Sequence, residues 1–297
     1  MSEINVSCII VTHDDAPIII NCLDSVISDL GDLNGEFILI DNASQDDTAA
    51  LINSYQTQSH IPFRFIENRC NVGFSRAVNQ GLCAACGRYI LLLNPDTTVH
   101  SGFFKELVSF LESHSSVGIV APKQFTPNGA VLPSCREFPD HTDLFFSIVG
   151  LSALFPKSRI FNGWKMGYFD HNTSRVVDQP MGACILMRRE DIQLVGFLDE
   201  RFWIFFSDVD LCRRFYAAGK SAYFLAEAHI THIYGYSIRK KPVRMIMSSH
   251  RAFNKYFWKY YCSWYWVIPN IIASCELFLC AVGRVVIALL FGEKRYI

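Results

Sequence analysis

Three short apolar runs, each closed by a polar residue and separated by helix-patterned stretches, constrain this fold more than anything else in the chain. Val6-Ser7-Cys8-Ile9-Ile10-Val11 leads to Thr12, Glu36-Phe37-Ile38-Leu39-Ile40 to Asp41, and Tyr89-Ile90-Leu91-Leu92-Leu93 to Asn94-Pro95-Asp96-Thr97. Runs this short, without the alternation of a half-solvated strand, read as parallel strands buried on both faces. Pro17 suits the first turn of a helix over 18–28, and Ser44 with Asp47 three residues later reads as a capping box for the next helix. This βαβ rhythm predicts an α/β fold with a mostly parallel sheet, whose ligands collect at the carboxyl ends of its strands.

Further along, the pattern predicts a short strand over 63–66, a helix over 75–85, a strand over 88–93, a helix over 103–112 and a strand over 117–121. No GxGxxG follows the first strand and no GxxxxGK[ST] occurs anywhere, so dinucleotide and P-loop readings lose their main support. At 297 residues and 51% hydrophobic, the chain has room for one catalytic domain over 1–245, halved near 122, and a tail over 246–297. A net charge of -1 with no long basic run argues against a nucleic-acid surface, which needs phosphate neutralisation. Eleven cysteines, an odd number, and no secretory signal at Met1–Asn5 predict reduced thiols in the cytoplasm. Cys83 and Cys86 form a CxxC without a second pair and are expected to pack as small core residues.

Two acids carry chemistry on local grounds. Asp96, at a strand end, is a hard oxygen ligand of the kind that holds a divalent cation together with phosphate oxygens, although a plain Pro-Asp turn gives the same tetrapeptide. Asp208 follows Phe202-Trp203-Ile204-Phe205-Phe206, and a carboxylate against such a wall gains basicity. The alternative is that Asp208 or Asp210 caps the helix predicted over 211–218. His229 and His232 stand three apart on a strand-like stretch and face opposite sides, so one ion cannot take both. Asp41 could equally close an Asx turn with Asn42 and Ser44, Arg76 could be a solvated helical arginine, and Arg136 could pair with Glu137.

Taken in order, Val6–Thr12, Asp41-Asn42-Ala43-Ser44 with Asp46, Asn71-Val72-Gly73-Phe74, Asn94-Pro95-Asp96-Thr97, Gly182-Ala183-Cys184, Arg188-Arg189, Val195–Glu200, Ser207–Cys212 and His232 resemble the family 2 inverting glycosyltransferases, most closely their rhamnosyltransferase-like branch. The resemblance runs over about 4–240. It implies a GT-A fold, a nucleotide-sugar donor, Mg²⁺ or Mn²⁺, and transfer to an acceptor hydroxyl with inversion. It further implies that Asp96 takes the metal with His232, that Thr12, Asp41, Asn94 and Arg76 bind the donor, and that Asp208 is the general base. Arg136, Gly182, Ala183 and Asp210 would then serve the acceptor or diphosphate. Ser207 stands where the family has Glu, and His13-Asp14 where it has Tyr-Asn.

After residue 245 the chain turns aromatic, through Tyr256–Tyr261 and Trp264-Tyr265-Trp266, and then apolar from Ile271 to Phe291. Aromatic belts suit a membrane interface. Glu276 and Arg284 would each cost about 2.5–3.5 kcal/mol at a bilayer centre, so an interfacial or hairpin-like helix is expected rather than a simple span, with a helical cap packed on the domain as the alternative. With the resemblance, this implies an enzyme peripherally attached to the inner face of the cytoplasmic membrane. Its expected acceptor is a polyprenyl-diphosphate-linked saccharide in O-antigen-like surface polysaccharide synthesis, and its first expected donor dTDP-rhamnose. A sugar-phosphate nucleotidyltransferase is a second reading, but it lacks the Gly-rich, basic first loop. A non-catalytic membrane partner is a third, suggested only by Ser207 and His13-Asp14.

Overall fold

A computed structural model describes residues 4–291. Its first half contains β1 (Val6–Thr12), α1 (Ile19–Asp29), β2 (Gly35–Asp41), α2 (Thr48–Gln58), β3 (Phe63–Glu67), α3 (Phe74–Ala84) and β4 (Tyr89–Leu93). The strands lie in the order β3-β2-β1-β4, all parallel, with Thr12 in register with Asp41. Helices cover both faces: Ile19, Cys22, Leu23 and Val26 of α1 pack on one side, and Ala77, Val78 and Leu82 of α3 on the other. Two-sided cover is why these strands read as continuous apolar runs.

The second half adds β5 (Thr97–Val99), α4 (Phe103–Ser113), β6 (Val117–Phe125), β7 (Val131–Leu132), β8 (Cys135–Arg136), α5 (His141–Ile148), α6 (Leu151–Leu154), β9 (Arg175–Val177), β10 (Gln179–Pro180), β11 (Cys184–Arg188), α7 (Arg189–Val195), α8 (Ser207–Ala217) and β12 (Ser221–His232). The sheet continues β4-β11-β6-β12-β5. β11 runs antiparallel to β4, pairing Cys184 with Leu93, so the start of β11 meets the end of β4 and Asn94 N–H bonds the Ala183 carbonyl at 2.8 Å. β12 ends against β5 with His232 in register with Thr97, and Ile233 N–H bonds the Asp96 carbonyl at 2.9 Å. Strand pairing alone therefore brings Gly182-Ala183, Asn94, Asp96 and His232 to one edge.

The chain closes with α9 (Tyr236–Lys240), α10 (Pro242–Tyr260), a 3₁₀ turn at Trp264–Trp266 and α11 (Val267–Phe291). The expected boundary at 245 falls inside α10. Phe253, Tyr256 and Phe257 of α10 share a core with Phe202 and with Val209 of α8, and Ala273 and Leu277 of α11 join it, so the tail is fused to the second half of the domain.

Two local expectations fail. Ser44 caps no helix, because its N–H and hydroxyl both bond the stronger acceptor Asp41, and α2 starts only after Asp46 has taken the N–H and hydroxyl of Thr48. All eleven cysteines are unpaired, and Cys83 and Cys86 are exposed at the end of α3 rather than packed in the core.

Candidate active site

A cavity of about 350 Å³ opens at the carboxyl ends of β1 and β4. Thr12, Asn94, Asp96, Gly182, Ala183, Asp208 and His232 all line it, and Trp203–Phe206 form its apolar wall.

Asp96 is 7% exposed, and its Oδ1 is a buried acceptor with no hydrogen-bond partner among the described residues. The group facing it is Nε2 of His232, 3.4 Å away. Nδ1 of that ring lies 3.0 Å from Oε1 of the fully buried Gln124. An amide oxygen at Nδ1 places the proton there and leaves the Nε2 lone pair turned towards the carboxylate. Two electron-rich atoms face one another, an arrangement suited to a shared cation. No group of three or more His, Cys, Asp or Glu side chains among the described residues makes a full ligand set.

Asp208 sits in the first turn of α8, with Oδ2 accepting from Gly182 N–H at 3.1 Å and Gln179 Nε2 at 3.0 Å, and Oδ1 from Val209 N–H at 2.9 Å. Burial pushes its pKa above the ordinary carboxylate value, opposed by the N–H groups of Gly182 and Val209. A Cβ on Gly182 would lie 2.9 Å from the Asp208 Cβ, so the glycine is what lets β11 approach the acid. Neither Asp208 nor Asp210 caps α8: the preceding residue is Phe206, in the left-handed region at φ 65°. Ser207 turns its hydroxyl back to the Ile204 carbonyl at 3.2 Å and adds no charge beside Asp208.

Residues 7–193 match glycosyl transferase family 2. The chain belongs to that family. Over 232 residues it is 25% identical to the N-acetylglucosaminyl-diphospho-decaprenol L-rhamnosyltransferase of Mycobacterium tuberculosis, covering 72% of each chain. It is also 25% identical over 183 residues to the low-salt glycan biosynthesis hexosyltransferase Agl10 of Haloferax volcanii, covering 60% of this chain and 52% of that protein. Among solved structures it is similar to the mannosyltransferase PcManGT from Pyrobaculum calidifontis in complex with GDP-Man and Mn²⁺, with a TM-score of 0.59 at 15% identity, covering 97% of this chain and 76% of that one. GalNAc-T7 with UDP, GalNAc and Mn²⁺ gives a TM-score of 0.62 at 15% identity, over 78% of this chain and 44% of that one. These likenesses establish the expected GT-A-type α/β fold.

Several residues expected at the site of this family 2 glycosyltransferase lie elsewhere. The Asp41 carboxylate does not line the cavity: it accepts from Thr12 Oγ1 at 3.1 Å and from Ser44, and so braces the loop behind the wall. Arg76 is exposed, because α3 buries its neighbours Ser75, Ala77 and Val78 and turns position 76 to solvent. Arg136 donates to the carbonyls of Pro133, Cys135 and Lys165 and is not among the residues lining this cavity, while Glu137 accepts from Tyr168 instead. Asp210 is wholly buried among Arg214, Lys259 and Tyr260, out of reach of any acceptor. His229 bonds the Ala226 carbonyl on the face opposite His232, as the strand geometry predicts.

The cavity also has a cationic rim that pattern reading missed: Lys240, Lys241 and Arg244. Lys240 bonds Asp15 Oδ1 at 3.0 Å and the Asp14 carbonyl, and Lys241 lies 3.2 Å from Nε2 of His13. The guanidinium of Arg244 lies 4.5 Å over the Trp203 ring. That ring in turn packs on Gly73, whose φ is +91° and where a Cβ would come within 2.4 Å of the indole. The Asn71-Val72-Gly73 motif thus makes room for the cavity wall. The signal available in the sequence was the triplet Arg239-Lys240-Lys241, seven residues past His232.

Proposed function

We propose that this protein is an inverting, metal-assisted glycosyltransferase that moves a sugar from a nucleotide donor to a hydroxyl of a lipid-linked saccharide, in bacterial surface polysaccharide assembly at the inner face of the cytoplasmic membrane. The first donor to test is dTDP-rhamnose. The observation that carries the reading is the convergence in one cavity of Asp96, with its unpartnered buried oxygen beside His232, and Asp208, with its raised pKa. The Mycobacterium tuberculosis relative, named for rhamnosyl transfer to a diphospho-decaprenol-linked sugar, supports the acceptor class and the donor. Its distance leaves O-antigen as one of several polysaccharide products consistent with the chain.

In this reading Asp96 and His232 hold Mg²⁺ or Mn²⁺, which when bound neutralises charge on the departing diphosphate. Thr12 and Asn94 line the donor side, and Lys241 and Arg244 add positive charge at the mouth. Gly182 and Ala183 shape the acceptor side. Asp208 accepts the proton of the attacking hydroxyl, whose oxygen bonds to the anomeric carbon opposite the breaking bond to the nucleotide, so the configuration inverts. The apolar wall keeps bulk water from competing with that hydroxyl.

Thermal shift tests the reading, because a ligand bound only by the native state stabilises it by about 2.7 kcal/mol at a hundred times its Kd. With dTDP, UDP and GDP, each with and without Mn²⁺, one nucleotide is expected to raise the melting temperature only with metal, and Asp96→Ala to abolish the effect. No shift with any nucleotide would overturn the assignment.

A further inference from the structure

The strongest unexplained feature lies outside the cavity. α11 is long and apolar enough to cross a membrane by length and composition, and about 37 Å long at 1.5 Å per residue. Yet it does not stand free. Asn270, Ala273, Leu277 and Ala281 recur every three or four residues as a buried stripe. That stripe is fastened to α10 and the residue that follows it: Asn270 donates to the Tyr261 carbonyl at 2.8 Å, Ser274 to Asn254 at 2.7 Å, and Trp258 to Ser274 at 3.2 Å. α10 carries Arg251, Lys255 and Lys259 along the same length. A perpendicular span would drag those cations towards the hydrocarbon, at about 2.5–3.5 kcal/mol each at the bilayer centre.

The opposite face of α11 is bare, with Ile268 70%, Leu279 68% and Leu290 70% exposed. α5 packs directly on α11, where His141 bonds Asn270 at 2.9 Å and stacks on Trp266. From α5 the chain runs into a second bare apolar patch, Phe145, Val149, Leu154, Phe155 and Ile160, with Leu154 69% and Ile160 72% exposed. Charge complementarity identifies the occupant. Between Asp143 and Asp170 there is no acidic residue, and Lys157, Arg159 and Lys165 are the charged ones. Between Glu227 and Glu276 there is again no acidic residue, and of the seven Lys or Arg there, Arg239, Arg251 and Lys255 are taken neither by the cavity rim nor by Asp210, in a chain whose net charge is -1.

We infer that α11 and the α5–α6 segment form one docking surface that lies flat on an anionic lipid bilayer, with α11 in the plane of the interface and the bilayer not crossed. This rests on the membrane part of the proposed function and adds its geometry and its second element. Apolar faces flanked by cations bind such interfaces through buried area together with attraction to anionic headgroups.

Vesicle co-sedimentation of the full chain tests it, using phosphatidylcholine vesicles with and without phosphatidylglycerol. Binding is expected to be stronger with phosphatidylglycerol and to weaken with salt. Leu154→Glu with Ile160→Glu, and separately Phe278→Glu with Leu279→Glu, should each reduce it by at least about tenfold, while the melting temperature stays put because all four positions are exposed. On intact vesicles, a cysteine added after Ile297 should react with a membrane-impermeant maleimide, over the labelling of the exposed native cysteines, as fully as after lysis. Wild-type binding by the Leu154/Ile160 variant removes α5–α6 from the surface and overturns the proposal, leaving membrane attachment by α11 standing. Labelling of the added cysteine only after lysis shows a span and also overturns it. A wild-type protein that ignores all vesicles yet transfers sugar to a soluble acceptor defeats the membrane reading itself and leaves glycosyl transfer intact. Dimerisation in that case makes a second copy the occupant.

Discussion

Asp208 combines a proton acceptor's environment with hydrogen bonds that tune it, and the two can be separated by substitution. Asp208→Asn keeps the shape and removes the proposed base, so transfer is expected to fall by at least about a hundredfold with nucleotide affinity unchanged, measured as kcat against Kd. Because burial raises the pKa of Asp208, the acid limb of the rate profile should lie above the ordinary carboxylate range, with activity lost as pH falls through it. Gln179→Leu removes a donor that favours the ionised form and should move that limb to higher pH, read from kcat against pH. That Asp96 and Asp208 come to one cavity was legible because a strand end and the start of α8 place them, whereas His232 came only with the family resemblance. Lys240, Lys241 and Arg244 were not legible, since their partners His13, Asp15 and Trp203 lie far away in sequence and only the packed fold brings them together. Asp41, Arg76 and Arg136 show the opposite case: the motif is present, while in this structure the side chain is bonded to a neighbour or turned outward.

At the scale of elements, α8 and α10 are joined through a buried carboxylate. Asp210 receives Arg214 Nε at 3.0 Å, Lys259 and the Tyr260 hydroxyl at 2.7 Å, and Lys259 also reaches Asp199 at 2.7 Å. Lys259→Met should destabilise the protein by about 1–3 kcal/mol, since it withdraws a charged partner from a fully buried acid, as a urea titration would report. The parallel strands and the helices between them could be read from apolar runs and their breaks, though not the order of the strands in the sheet. The antiparallel β11 was not distinguishable, because a strand buried on both faces looks the same in either direction. The tail showed its apolar character but not its seat on α8, which depends on contacts between residues about 50 positions apart.

For the molecule as a whole, the C-terminal helices belong to the folding unit. A chain ending at Cys262 would uncover the surfaces that Ala273, Leu277 and Ala281 bury, and is expected to lose about 3 kcal/mol of stability, seen as a lower denaturation midpoint. The Asp210 junction carries a further consequence. α8 holds Asp208 at one end of the linkage and α11 rests on α10 at the other, all three sharing one core. For any flat support beneath α11, the height of the Asp208 carboxylate is therefore set by this packing. A fixed height works as a gauge: only a hydroxyl held at that distance from the support reaches the base, so a tethered saccharide one sugar shorter or longer would present the wrong ring.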